Sequence, residues 1–386
     1  MKNEYLKQWK TLEITAFKET FLNWYYQHKR TLPWRGTNNP YYIWISEIML
    51  QQTRVDTVMG YYYRFIEQYP TIEALAEADE QSLLKVWEGL GYYSRARNLK
   101  VAAQQVMNDY DGQFPETMEA IRTLKGIGPY TAAAIGSIAF QLPEPAIDGN
   151  LMRVGSRLFG IDADIAKPSS RTIFEQAFRE VISEEAPGDM NQAFMDLGSS
   201  ICTPTSPDCL NCPLKDFCHA YQTGTQLAYP VKTKKEPPKD VYYVAAVIEN
   251  DQKEFLLMQR PEKGLLAKMW HFPLEEVSKE TYLAYKTQYA KETIQGTLDL
   301  VAEDMMLAIF DTYPVTWQKR HLGEVKHVFS HLRWHLLLFY GRTQLPLQVE
   351  YSRWLAKEAF SSLVFPKIQQ KLVQQWSEND KVPKDF

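Results

Sequence analysis

Leu124-Lys125-Gly126-Ile127-Gly128-Pro129-Tyr130-Thr131-Ala132 is the stretch whose reading decides the fold of the first half of this chain. Gly126 and Gly128 both permit positive φ and close backbone approach. Pro129 suits the first position of a helix, which then runs on through Ala132-Ala133-Ala134-Ile135. The pattern predicts a tight hairpin, within about residues 115–140, that feeds a helix N-terminus. Free N–H groups and the helix dipole favour a phosphate there. On the glycines and proline alone, a plain helix–helix turn is an equally good reading.

Some 20 residues downstream stands Ala146-Ile147-Asp148-Gly149-Asn150-Leu151-Met152-Arg153-Val154. Asp148 precedes a glycine and a helical run, so its ordinary meaning is a helix N-cap. A carboxylate held there also stays ionised, which the stabilisation of a developing cation requires. Upstream, Trp44-Ile45-Ser46-Glu47-Ile48-Met49-Leu50-Gln51-Gln52-Thr53 sets Glu47 among apolar neighbours. Burial would raise its pKa and suit it to donate a proton, whereas an exposed helix face would leave it inert. All four cysteines fall in one short run, spaced Cys202-x6-Cys209-x2-Cys212-x5-Cys218. Thiolates so clustered suit one metal centre better than disulfides. Spacing alone leaves iron–sulfur and zinc level.

The chain has 386 residues and is 45% hydrophobic, enough for two domains with separate cores. No apolar run reaches the ~18 residues of a membrane helix, and Met1-Lys2-Asn3-Glu4-Tyr5 has no signal-peptide character. The expected location is cytoplasmic. Net charge is −4, divided as −6 over residues 1–230 and +2 over the remainder. A nucleic-acid surface would therefore be a local patch. Residues 1–229 read as helical, with apolar positions at helical spacing (Ile72-Leu75-Ala76, Leu83-Leu84-Val86-Trp87) and turns at Asn38-Asn39-Pro40, Gly89-Leu90-Gly91 and Asp111-Gly112. Residues 230–240 are charged and proline-rich and suit a linker. Residues 241–386 bring strand-like runs at Val241–Ile248, Phe255–Met258 and Leu336–Tyr340. The expected fold is an all-α domain followed by an α+β domain.

Taken together, the Gly-Ile-Gly hairpin, the aspartate 20 residues on and the trailing cysteine run resemble the endonuclease III superfamily of DNA glycosylases, over about residues 8–222. Within it, three features resemble the MutY family of adenine glycosylases. Leu32-Pro33-Trp34-Arg35 and Ser46–Thr53 are similar to that family's adenine pocket and DNA-penetrating loop. Gly89-Leu90-Gly91-Tyr92-Tyr93-Ser94-Arg95-Ala96-Arg97-Asn98-Leu99 is similar to its next minor-groove segment. Tyr130 stands where the superfamily's lyases carry a lysine, and a phenol cannot form a Schiff base with the sugar. That disfavours the alternative, a glycosylase/lyase for oxidised pyrimidines.

The resemblance implies a monomeric enzyme that removes adenine opposite 8-oxoguanine or guanine in double-stranded DNA, with a 4Fe–4S cluster on Cys202, Cys209, Cys212 and Cys218. It implies Glu47 as the acid, Asp148 as the counter-charge, by charge alone or through a short-lived covalent bond, and Tyr130 and Asn150 as their hydrogen-bond partners. Trp34, Arg35 and Gln192 would line the adenine pocket. Leu50, Gln52, Tyr92, Arg95, Lys125, Gly126 and Gly128 would meet DNA. Residues 241–386 resemble a MutT-like Nudix domain, but Leu274-Glu275-Glu276-Val277-Ser278-Lys279-Glu280 lacks the R-E-x-x-E-E helix of a working Nudix hydrolase. The domain is expected to bind, with Phe329, Ser330 and His331 facing 8-oxoguanine.

Overall fold

The computed structural model describes residues 11–234, 236–290, 315–318, 320–344 and 350–379. Met1–Tyr5 and residue 235 of the linker lie outside the described residues. The chain packs as two units, residues 1–80 with 94–235 and residues 81–93 with 236–386. The sequence reading keeps 81–93 within the helical domain. In the structure Lys85 Nζ donates to the carbonyl of Leu363 (2.8 Å), and Glu88 accepts from the Phe365 N–H (2.8 Å). These bonds tie the segment to the carboxy-terminal unit.

The first unit is helical, as expected. Its described helices are α1 (Thr11–His28), α2 (Pro40–Leu50), α3 (Val55–Gln68), α4 (Ile72–Glu77), α5 (Glu80–Val86, which runs on into the second unit), α6 (Ser94–Asp109), α7 (Met118–Thr123), α8 (Pro129–Phe140), α9 (Gly149–Phe159), α10 (Arg171–Val181), α11 (Pro187–Ser200) and α12 (His219–Thr223). The caps follow the sequence. Asn39 caps α2 through its side chain with Pro40 at the first position, and Pro129 opens α8. Helix α2 carries eight buried residues in eleven, so it lies inside the unit rather than on its surface. Phe17, Phe21, Phe174, Phe178 and Phe194 interlock α1, α10 and α11 against α9.

One expectation needs correction. Gly126 has φ +80, and a Cβ there would stand 2.8 Å from the Asn98 Cβ, so only glycine fits. Gly128 instead has φ −86 and ψ 176, ordinary extended backbone. It needs no left-handed conformation. A Cβ on it would meet open space, so its small size leaves the start of α8 approachable.

The linker is anchored over its first residues. Asp164 accepts hydrogen bonds from the N–H and hydroxyl of Thr233, and Val231 accepts one from the Ile165 N–H (3.0 Å).

The second unit is an α+β fold built on a mixed sheet, whose eight strands among the described residues are β1 (Lys239–Asn250), β2 (Glu254–Gln259), β3 (Trp270–His271), β4 (Leu274–Val277), β5 (Thr316–Trp317), β6 (Gly323–Val328), β7 (Leu332–Thr343) and β8 (Ser352–Ala356). Strands β1 and β7 run parallel over twelve residue pairs, from Lys239 opposite Leu332 to Asn250 opposite Thr343. Ala245 and Val247 face one core, with Trp376 of α14 (Lys367–Asn379). Val244, Ala246 and Ile248 face the other, with Tyr282 and Tyr285 of α13 (Lys279–Gln288). A strand covered on both faces is a continuous apolar run, which is how Val241–Ile248 reads. Glu275 and Glu276 lie on a strand, so they present no helical row of carboxylates.

Candidate active site and cysteine loop

Glu47 sits in the last turn of α2 and is 4% exposed. The Tyr130 hydroxyl, from the first turn of α8, donates to its Oε2 at 2.8 Å. Burial pushes the carboxyl up to about 7; the Tyr130 bond and the Arg35 charge pull it down, while the Asp148 charge pushes it up. A carboxylic acid that holds its proton near neutrality is suited to give it away. Burial next to Glu47 and Asp148 holds the Tyr130 phenol well above its ordinary range, so it stays protonated as a donor.

Asp148 is the side-chain N-cap of α9, as its sequence context predicts. Its Oδ1 accepts from the Leu151 N–H (2.6 Å) and its Oδ2 from Asn150 Nδ2 (3.0 Å). Burial raises its pKa, against the backbone bond from Leu151, the bond from Asn150 and the Arg153 charge. The structure thus brings Glu47, Tyr130, Asp148 and Asn150 to one place from three helices.

The other expected residues divide. Arg35 is committed to Asp196 through two bonds (2.6 and 2.9 Å) and reaches Glu47 by its charge alone. Trp34 is 6% exposed, edge-on to Tyr62. Gln192 is 9% exposed and donates to the Gly188 carbonyl (3.3 Å). Leu50 is half-buried and Gln52 is exposed at φ +59. Lys125 is exposed, but its backbone N–H is taken by Gln105 Oε1 (2.7 Å). Arg95 has partners of its own within the fold. It is 8% exposed, with its guanidinium donating to backbone carbonyls.

In the second unit, Phe329-Ser330-His331 forms the tip between β6 and β7. Ser330 and His331 are exposed. The Phe329 ring is half-buried and packs edge-on to Trp334 (5.0 Å) and His327 (4.6 Å) at the base of the tip. Tyr92, half exposed at φ +47, shares a 2.8 Å hydrogen bond with the Ser330 hydroxyl.

Cys202, Cys209, Cys212 and Cys218 line one cavity of about 30 Å³ together with Arg157. Burial raises the thiol pKa of Cys209, Cys212 and Cys218. Among the described residues no three Cys, His, Asp or Glu side chains converge as a single-ion cage. Four thiols around a shared void are a donor set for a metal centre, iron–sulfur or zinc.

Residues 45–182 match the HhH-GPD superfamily base excision DNA repair protein family, and residues 244–375 match the NUDIX domain. The adenine DNA glycosylase of Rattus norvegicus is 33% identical to the chain over 425 residues, covering 95% of this chain and 79% of that protein. The chain belongs to the adenine DNA glycosylase family. The Homo sapiens member is 34% identical over 408 residues, covering 90% of this chain and 71% of that protein. A solved thermostable thymine-DNA glycosylase shares 30% identity at a TM-score of 0.50, over 54% of this chain and 97% of its own.

Several residues of this family member escape a reading by motif. Asp196 is 3% exposed and binds both Arg30 and Arg35. Arg153 joins Asn150 Oδ1 (2.9 Å) to the Cys202 carbonyl (2.9 Å), and Arg157 donates to Cys202 Sγ (3.4 Å). Their only sequence signal is the spacing of four, which puts both arginines on one face of α9.

Proposed function

We propose that the protein is a monofunctional glycosylase of base excision repair that hydrolyses the bond between adenine and its sugar when adenine lies opposite 8-oxoguanine or guanine. The observation that carries this is the buried Glu47, bonded by Tyr130 and set beside the helix-capping Asp148. Adenine must leave the stack to reach it. Glu47 gives its proton to adenine N7, and the C1′–N9 electron pair leaves with the base. Asp148 faces the positive charge left on the sugar, much as a carboxylate does in glycoside hydrolysis. Asn150 and Leu151 hold that carboxylate in place. Water adds at C1′ and its proton returns to the Glu47 carboxylate, so the site ends as it began. Tyr130 offers no amine, which makes strand cleavage a separate enzyme's task.

The helix–hairpin–helix takes a phosphate at Gly126–Gly128. Gln52 and Tyr92, exposed on turns of positive φ, fill the gap that the flipped base leaves. Cys202, Cys209, Cys212 and Cys218 hold a 4Fe–4S cluster as a structural element, since neither chemical step needs an electron. Spacing alone leaves zinc and iron–sulfur level, and the resemblance to the endonuclease III superfamily favours iron–sulfur. Iron and acid-labile sulfide should accompany the anaerobically purified protein as a broad yellow-brown absorbance. A colourless protein with stoichiometric zinc would overturn this assignment.

Adenine is a normal base, so selectivity comes from the base opposite. Ser330 and His331 at the β6–β7 tip read it, with the Ser330 hydroxyl and N–H offered to the two atoms, at N7 and C8, where 8-oxoguanine differs from guanine. Ser330→Ala combined with His331→Ala should narrow the preference for 8-oxoguanine over guanine by about tenfold or more, at ~1–3 kcal/mol per polar base contact. Single-turnover excision from the two duplexes measures this. An unchanged ratio would place recognition elsewhere.

A further inference from the structure

Arg95 lies in the first turn of α6, where the helix dipole disfavours a cation. It is nonetheless 8% exposed. Its Nη1 donates to three backbone carbonyls, those of Ile48 (2.8 Å), Met49 (3.0 Å) and Gln51 (2.6 Å). These belong to the end of α2 and the residue after it. Carbonyls at a helix end have no partner within the helix and carry the negative end of its dipole. A guanidinium supplied from another helix satisfies several of them at once. Its Nη2 reaches Thr53 Oγ1 at 3.4 Å, beyond the turn.

The capped segment carries two functional groups. Glu47 is one residue before the first capped carbonyl. Gln52, exposed at φ +59, is one residue after the last. The same turn is tied on its other side, since Gln51 Nε2 donates to Thr131 Oγ1 (3.2 Å) on α8, beside the Tyr130 that binds Glu47.

We propose that Arg95 is a positioning residue: it ends α2 after Leu50, and so fixes the Glu47 carboxyl behind the turn and the Gln52 side chain ahead of it. A guanidinium suits this place because its plane holds Nη1 at the three carbonyls while Nη2 reaches Thr53 Oγ1, an orientation a flexible ammonium does not fix. Without it the last turn of α2 unwinds, water enters, and Glu47 shifts from the reacting base. A displacement of about an ångström in a reacting group costs on the order of a hundredfold in rate.

The inference rests on the reading of Glu47 as the acid. It is tested in the full chain with Arg95→Met and Arg95→Lys on a duplex carrying adenine opposite 8-oxoguanine, at saturating enzyme and single turnover. Arg95→Met should excise about 10- to 100-fold more slowly. The fall in its rate with rising pH should move to lower pH, because a wetted Glu47 loses its proton sooner. The salt dependence of duplex binding should keep its slope. Arg95→Lys, which keeps the charge but not the fork, should recover only part of the rate. A direct phosphate contact would behave in the opposite way. Arg95→Met would then bind with a salt slope smaller by about one and excise at full rate once saturated, and Arg95→Lys would be near wild type. That outcome overturns the inference. If Arg95→Met does not fold, Arg95→Lys decides alone. A wild-type chain that releases no adenine refutes the function reading itself, independently of the Arg95 variants.

Discussion

Glu47→Gln is expected to bind the mispaired duplex about as well as the wild type and to release adenine at least a hundredfold more slowly. The replacement has nearly the same volume, and its amide oxygen can still accept the hydrogen bond that Tyr130 gives to Oε2. What it lacks is the transferable proton. General acid catalysis is worth roughly 10²–10⁴ in rate. The wild type has a matching pH signature. In the proposed mechanism the protonated carboxyl is the active form, and burial keeps it protonated up to about pH 7. Above that, kcat/KM should fall by roughly tenfold per pH unit. Residual activity of Glu47→Gln should not show this fall. Single-turnover rates across the neutral range measure both. A wild-type rate for the variant would remove Glu47 from the role of acid.

Asp148→Asn is expected to be impaired by on the order of 10²–10³ with its fold intact. Asparagine caps a helix about as well as aspartate. The bond from the Leu151 N–H can therefore persist, and the melting temperature should hardly move. The loss is the negative charge, which in the proposed mechanism faces the sugar as positive charge grows there. Removing it also removes the repulsion that raises the Glu47 carboxyl, so the pH above which activity falls should move downward. A variant with full activity would leave Asp148 as a helix cap and nothing more. A large drop in melting temperature would place the effect in the fold.

The division of the chain into a helical part and a sheet part was legible because each periodicity is strong. The run Val241–Ile248, buried on both faces, differs plainly from the 3.6-residue spacing of α4 and α5. Asp148 was legible as a cap because its signal is local: Asp-Gly-Asn before an amphipathic run. Glu47 was legible only as a choice between buried acid and exposed face, since α2 is apolar all round and its neighbours in sequence cannot say what covers it. Tyr130 settles that from 83 residues away.

What Arg95 and Phe329 pack against was not legible for a common reason. A basic residue and an aromatic in DNA-binding segments suggest surface contacts, yet the structure buries the arginine on carbonyls and packs the phenylalanine on Trp334. Both facts depend on partners distant in sequence. The segment 81–93 reads as one more stretch of helix and turn, and only Lys85, Glu88 and Tyr92, through their bonds to Leu363, Phe365 and Ser330, reveal where it packs.

The most direct measurement is single-turnover release of free base by the unmodified chain. The duplexes should carry adenine opposite 8-oxoguanine, guanine, cytosine or thymine, and the strand should be examined before and after alkali. Adenine should leave fastest opposite 8-oxoguanine, more slowly opposite guanine and hardly at all opposite cytosine or thymine, with the strand intact until alkali is added. Release of an oxidised pyrimidine with strand cleavage in the absence of alkali, or no release of adenine from any duplex, would contradict the assignment of Glu47, Asp148 and Tyr130 to a monofunctional adenine glycosylase.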